Sequence, residues 1–259
     1  MKISLIISTY NWPEALLLCL KSVLLQTHMP DEIIIPDDGS DQETCELINQ
    51  IRSEFRCSLK HVWHEDQGFR KTIIHNNAIR EQCTGDYLIF IDGDIILERH
   101  FIEDHYSMAQ NGFFVVGSRT LLNEKLTNQL IKSRSINVNA FSSGVKHRIN
   151  ALYMPWLGII TQNFRKKDKL YGRGANMAMF FNDFKLINGF NEDMVGWGME
   201  DTDIINRLNN NGLKRKFAKF RAIEYHLFHN ERERNEENIS LLDNLIKSNN
   251  KRCQHGLER

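Results

Sequence analysis

Short apolar runs that alternate with helical stretches over the first 120 residues predict an α/β fold, a mostly parallel sheet flanked by helices. Two further features agree. The runs Ile3-Ser4-Leu5-Ile6-Ile7 and Tyr87-Leu88-Ile89-Phe90-Ile91 are almost continuously apolar over five residues, as strands buried on both faces are. Polar clusters follow directly: Ser8 and Thr9 after the first run, Asp37-Asp38-Gly39-Ser40 after Glu32-Ile33-Ile34-Ile35, and Asp92-Gly93-Asp94 after the last. In open α/β sheets, ligands bind at the carboxyl ends of strands.

Taken in order, residues 12–26 carry Leu16, Leu17, Leu20, Val23 and Leu24 at helical spacing, and Pro13 suits a first helical turn. A strand is expected at 32–35, a helix at about 42–55, a short strand near 59–62 and a helix at about 71–82. Beyond Gly174 a helix is expected at about 200–210, short strands at 214–217 and 222–226, and a final polar helix from about Asn235. There is no internal repeat and no low-complexity segment.

The chain has 259 residues and 30.4 kDa, the size of one large domain, and 41% hydrophobic residues supply an ample core. With 33 basic and 33 acidic side chains it is formally neutral, which argues against a nucleic-acid partner. Five cysteines without a C-x-x-C spacing argue against a disulfide scaffold or a cysteine-zinc site and fit a reducing compartment. No apolar run reaches the roughly 18 residues of a membrane span, and the first run is too short for a signal peptide. A cytoplasmic protein is expected. Charge is unevenly spread: residues 119–173 hold eleven Lys and Arg against Glu124 and Asp168, a net of +9 that leaves −9 elsewhere. This segment also carries Tyr153-Met154-Pro155-Trp156-Leu157-Gly158-Ile159-Ile160. It reads either as a pair of solvated helices or as an acceptor platform for anionic lipid or lipid-linked glycan, with Tyr153 and Trp156 inserting at the interface.

Asp92 and Asp94, one residue apart after an apolar strand, can both reach one hard divalent cation such as Mn²⁺ or Mg²⁺; a plain turn is the competing reading. Asp38 could accept hydrogen bonds from a base or sugar, although a D-G turn before a helix is common. In Gly196-Trp197-Gly198-Met199-Glu200-Asp201, acidic residues suit a first helical turn, yet a tryptophan between two glycines is a costly way to begin a helix. Trp197 could stack on a sugar face and a neighbouring carboxylate could act as a base. His226 and His229 alone are a poor zinc signature. Gly172-Arg173-Gly174 is half of a dinucleotide loop without a preceding strand, and no phosphate loop or serine elbow is present.

In this order the motifs resemble those of the family 2 inverting glycosyltransferases of the GT-A fold, a Rossmann-like, mostly parallel sheet that binds nucleotide-diphospho-sugars. The resemblance spans 4–11, 37–40, 66–78, 85–94 and 174–208, and its second half looks like a galactosyltransferase-type carboxyl-terminal region. It implies a donor half at 1–118 and an acceptor half at 119–259 with the basic insertion at about 119–173, within one compact domain. It also implies that Ser8, Thr9 and Tyr10 line the nucleotide pocket, that Asp38 meets uracil and that Arg70 lies near the phosphates. Asp92 and Asp94 form the family's DxD motif, Asp94 as metal ligand and Asp92 on ribose or metal. His229, before Asn230-Glu231-Arg232, matches a metal-binding histidine, and His226 a further ligand. Gly174 and Asn176 would shape the donor-sugar pocket. Asp201 matches the catalytic base, with Glu200, Trp197 and Gly198 binding acceptor.

The chemistry agrees. A departing nucleoside diphosphate needs positive charge, and the acceptor hydroxyl needs a base on the opposite side of the anomeric carbon. The expected activity is metal-dependent, inverting transfer of a hexose or N-acetylhexosamine from a UDP-sugar to a glycan or lipid-linked glycan in surface polysaccharide, lipopolysaccharide or capsule synthesis. A sugar nucleotidyltransferase and an inactive carbohydrate-binding module are the alternatives.

Overall fold

The computed structural model describes residues 1–164, 167–172, 174–230 and 233–258. Arg165, Lys166 and Arg173 of the basic segment, and Glu231 and Arg232 after His229, lie outside the described residues. The first half alternates as expected: β1 Ile3–Ser8, α1 Pro13–Leu24, β2 Glu32–Asp37, α2 Gln42–Ile51, β3 Ser58–Trp63, α3 Lys71–Gln82 and β4 Tyr87–Asp92. Pro13 opens α1, where its missing N–H and fixed φ carry no penalty. The helix expected to reach 55 ends at Ile51 and tightens into a 3₁₀ turn, Arg52–Glu54.

The next elements are β5 Ile95–Leu97, α4 Phe101–Met108, β6 Phe113–Gly117, β7 Arg119–Leu122, α5 Glu124–Ser133, β8 Val145–Lys146 and α6 Pro155–Ile160. They are followed by β9 Met177–Phe180, α7 Phe181–Leu186, α8 Glu200–Asn210, β10 Lys214–Ala218, β11 Glu224–His226 and α9 Glu236–Lys247. The strand expected from 222 starts at Glu224, because Phe220 (φ 62°) and Ala222 (φ 44°) form a left-handed turn.

A seven-stranded sheet runs β10-β6-β9-β4-β1-β2-β3 and draws on both halves of the chain. All its pairings are parallel except those of β9, which lies antiparallel between β4 and β6. A four-stranded sheet, β5-β11-β7-β8, stands at its carboxyl edge. One core layer packs beneath α1 and α2, including Leu16, Leu20, Ile48 and Phe101. The opposite layer gathers Ile79, Phe184, Phe190, Ile204 and Leu208 under α3, α7 and α8. Within the second layer Arg207 is fully buried, paired with Asp203 and donating to the carbonyls of Ile187 and Gly189, which anchors α8.

The basic segment does not form two solvated helices. Leu126 and Leu130 of α5 are buried against Ala15 and Leu18 of α1 in a third apolar cluster. Tyr153 is not a free interfacial anchor either: its ring stacks on His100 with centroids 4.6 Å apart at 11°. Trp156 (66% exposed), Ile159 and Ile160 on α6 do face solvent. All five cysteines are free thiols, and no helix among the described residues is long and apolar enough to cross a membrane.

Candidate active site

Strands β1, β2 and β4 end side by side, and the residues just beyond them wall a cleft of about 440 Å³. Ser8, Thr9, Tyr10, Asp38, Asp92 and Asp94 line it, joined by Trp197, His226 and His229 from the second half. Residues far apart in sequence converge here because the strand register brings them together. Ser8 lies opposite Asp92 across β1 and β4, and its hydroxyl donates to the Asp92 carboxylate at 2.8 Å.

On the β2 side, Asp38 accepts from the Arg70 backbone N–H (2.9 Å) and contacts His64 Nε2 (2.8 Å). Burial pushes its carboxyl above the ordinary range, against the pull of those two partners. Gly39 adopts φ +97°, and a Cβ there would meet the Asp66 backbone at 2.6 Å, so only glycine fits. That close approach brings Asp66 to the Tyr10 hydroxyl, which donates to it at 2.9 Å.

Arg70 itself does not line the cleft; its guanidinium donates to the carbonyl of Glu65. Lys71 does, with Nζ 2.6 Å from Asp92 Oδ1. Burial opposes charge on both groups, yet mutual attraction prevails and holds Asp92 well below the usual carboxylate range. Asp92, Asp201 and Glu200 together hold Lys71 well above the usual lysine range. Motif reading missed this lysine. A signal existed: Lys71 is the first residue of α3, where the helix dipole disfavours a cation unless an anion compensates.

Asp94 sits just before β5, and β5 pairs with β11 so that Ile95 lies opposite His226. The Leu227 N–H donates to the Asp94 carbonyl at 2.9 Å, locking the two segments together. Asp94 Oδ2 thereby lies 3.6 Å from His226 Nε2 and 3.2 Å from His229 Nε2. Each ring places Nδ1 against a backbone carbonyl, of Leu227 (2.7 Å) and Asn230 (2.8 Å), so the proton belongs there and Nε2 keeps its lone pair for the cluster. Burial lowers the affinity of His226 for a proton, whereas the Asp94 carboxylate, which accepts from the ring when Nε2 is also protonated, raises that of His229.

The donor atoms of Asp94, His226 and His229 all lie within 4.8 Å of one another, and the buried Asp94 Oδ1 has no hydrogen-bond partner among the described residues. One carboxylate and two imidazoles with an orphaned oxygen fit a divalent transition-metal ion such as Mn²⁺. Asp92, tied to Lys71 and Ser8, stands apart from this trio.

The second acidic group forms at the start of α8. Asp201 Oδ2 accepts from the Gly174 N–H at 2.8 Å, and any Cβ on Gly174 would collide with Asp201. Glu200 is 6% exposed; burial, and then the Asp201 charge, push its carboxyl up to about 7. Neither carboxylate lines the cleft, but both act electrostatically on Lys71, which does. The helix begins at Met199 with φ +77° and no side-chain cap, a strained start that its surroundings must enforce. They do so at three points: the Gly196 N–H donates to the Phe69 carbonyl (3.0 Å), and the side chains of Asn235 and Asn238 hold the carbonyls of Val195, Gly196 and Gly198. Trp197 is thus set into the cleft, whereas Gly198 serves the turn. Asn176 is buried away from the cleft, bridging His105 and the Ala222 carbonyl.

The chain matches the family described as Glycosyl transferase family 2 over residues 4–185, and that described as N-terminal domain of galactosyltransferase over 158–230. Among curated proteins it is 24% identical over 237 residues to a validoxylamine A glucosyltransferase of Streptomyces hygroscopicus subsp. limoneus, covering 82% of this chain and 48% of that one. It is 23% identical over 221 residues to a hyaluronan synthase of Pasteurella multocida, covering 80% and 22%. The chain thus spans less than half the length of either relative. Among solved structures, S. aureus TarS residues 1–349 in complex with UDP superposes with a TM-score of 0.66 at 16% identity, covering 99% of this chain and 68% of that one. A mannosyltransferase of Pyrobaculum calidifontis in complex with GDP-Man and Mn²⁺ superposes at 0.61 and 15% identity, covering 89% and 58%. The shared architecture is the GT-A fold.

Proposed function

Because the chain belongs to glycosyl transferase family 2, we propose that it moves a hexose or N-acetylhexosamine from a UDP-sugar to a hydroxyl of a glycan acceptor, with inversion at the anomeric carbon. The observation that carries this reading is the meeting, in one cleft, of the Asp94–His226–His229 trio with the strand-end residues Thr9, Tyr10 and Asp38. A solved relative described with GDP-Man and Mn²⁺, and another with UDP, support a nucleotide-sugar donor and a divalent ion.

In this reading Asp94, His226 and His229 hold Mn²⁺ or Mg²⁺, which supplies positive charge to the departing diphosphate. Tyr10 and Asp38 face the base and ribose; Asp38, already engaged by His64 and the Arg70 N–H, presents a fixed acceptor edge. Lys71 takes the place expected for Arg70: its ammonium, balanced by Asp92, adds a second cation on the phosphate side. Trp197 offers an aromatic face to a sugar ring, and the Gly174 N–H orients Asp201 for removal of the acceptor proton. Glu200 is suited to donate a hydrogen bond to an acceptor hydroxyl, since burial favours its neutral form near pH 7. Direct in-line attack assisted by one base inverts the anomeric centre.

A growing surface polysaccharide, lipopolysaccharide or capsule chain is the acceptor class proposed. Trp156, Ile159 and Ile160 within a +9 segment support peripheral contact with the cytoplasmic membrane face. Isothermal titration of UDP with and without Mn²⁺ tests the donor site. Metal-dependent binding that disappears in His229→Ala is the expected result; metal-independent binding unaffected by His229→Ala overturns it.

A further inference from the structure

A second cavity, of about 580 Å³, opens beyond the carboxyl ends of β6 and β10. Because β9 runs antiparallel to both β4 and β6, those ends point the same way as the ends of β1, β2 and β4 that wall the first cleft. The cavity therefore lies on the same functional edge of the sheet, and its volume falls in the roughly 300–1,000 Å³ range of small-ligand pockets. Two chain segments connect it to the machinery already described. Ser118, in its wall, is followed by Arg119, which lines the first cleft. Tyr171, also in its wall, precedes by three residues the Gly174 N–H that holds Asp201.

Its chemistry is specific. Among the described residues that line it there is no carboxylate, whereas His147, Arg148 and Lys219 all contribute. Its aromatic wall is a three-ring cluster, with Phe164 and Tyr171 centred 5.3 and 5.6 Å from Phe217. Lys219 Nζ stands 5.4 Å over the Phe164 ring and donates to Asn150 Oδ1 at 2.6 Å, so cation and ring are held together. Ser118 is only 4% exposed, and its hydroxyl has no hydrogen-bond partner among the described residues. A buried hydroxyl left unpaired in the wall of a cavity is an unsatisfied donor that a bound polar group would relieve.

We propose that this cavity binds a negatively charged sugar residue of the acceptor, a site distinct from the donor cleft. Rings suit the apolar face of a pyranose, the cations suit its carboxylate or phosphate, and Ser118 suits a ring hydroxyl. The assignment to an acceptor rests on the transferase reading; the anionic-sugar site does not. It also gives part of the positive charge of 119–173 a local role, since the exposed Arg148 lines the rim of this cavity.

Saturation-transfer NMR on the full chain tests this, with the donor cleft blocked by UDP and Mn²⁺ and with glucuronic acid, glucose 6-phosphate, glucose and inorganic phosphate as probes. Both acidic sugars should bind about tenfold better than glucose, the scale of one charge-assisted hydrogen bond. The stronger of the two distinguishes a carboxylate from a phosphate ligand. Inorganic phosphate alone, lacking the ring contacts, should displace them poorly. Lys219→Gln and Arg148→Gln, made separately and checked by circular dichroism, should each weaken the acidic sugars by a similar factor and leave UDP binding unchanged. Ser118→Ala should weaken all three sugars together. Equal binding of glucose, acidic-sugar binding unchanged in folded Lys219→Gln and Arg148→Gln, or displacement by UDP would overturn the proposal. So would failure of every sugar alongside binding to phosphatidylglycerol vesicles that Lys219→Gln abolishes, since the face would then be a lipid contact. Should UDP fail to bind while the acidic sugars still do, the transferase reading falls and the anionic-sugar site stands.

Discussion

Asp92 and Asp94 are separated by one glycine, yet they occupy opposite electrostatic situations. Asp92 is balanced within the chain, by Lys71 at 2.6 Å and the Ser8 hydroxyl at 2.8 Å. Asp94 faces two imidazoles whose Nδ1 atoms are directed to backbone carbonyls, and one of its buried oxygens has no partner among the described residues. The first corner balances its charge among the described residues; the second gathers one carboxylate and two imidazoles. The difference shows that the two carboxylates of such a motif need not share a partner: Asp92 pairs with a lysine, whereas Asp94 meets two imidazoles.

Removing each carboxylate in turn puts this contrast under the greatest strain. Asp94→Asn should lower transfer by about 10⁴-fold, since an ion on the leaving diphosphate supplies several kcal/mol, and excess Mn²⁺ should restore part of it. Should Asp92→Asn show the same metal response, the division of labour between the corners fails. Asp201→Asn should cost about 10³-fold in turnover, within the range for a general base, with UDP affinity measured by calorimetry nearly unchanged. Equal loss of both quantities would make Asp201 part of the donor site.

Next in size is a pH effect at the start of α8. Glu200, raised to about 7 by burial and by Asp201, binds its proton more tightly folded than unfolded. The native state then carries more protons than the unfolded state between pH 4.5 and about 7, so stability falls as pH rises through that window, by up to about 3 kcal/mol. Glu200→Gln should be less sensitive: its thermal midpoint relative to the parent should climb from about pH 5 to about pH 8. A constant difference would remove the buried-carboxyl account. Lys71→Met should destabilise by about 2 kcal/mol in urea unfolding, because it leaves Asp92 without its cation; partial solvent access to both groups keeps the cost below that of a fully buried pair. Asn235→Ala, which releases the Trp197 loop from α9, should have the smallest effect, about tenfold in KM for acceptor with kcat nearly kept.

Legibility in the sequence followed burial. β1, β2 and β4 could be placed from composition, because strands covered on both faces are apolar along most of their length. β9 could not: Met177-Ala178-Met179-Phe180 has no β-branched residue, and its place between β4 and β6 is set by pairing with distant strands. Nor could β5, three residues long, which acquires meaning only by pairing with β11, the strand expected at 222–226, and so drawing His226 to Asp94.

Local sequence therefore suffices for the α/β class, which follows from periodicity, and for the family, which follows from the order of the motifs at strand ends and at the start of α8. Which of those groups meet was settled only when the chain closed on itself. Folding chose Lys71 over Arg70 for the cleft, separated Asp92 from Asp94, and tied Asp201 to Gly174 across 27 positions of chain. Range accounts for the split: helix and strand signals act over a few residues, whereas a charge–charge contact at about 3 Å is set by the register of strands remote in sequence.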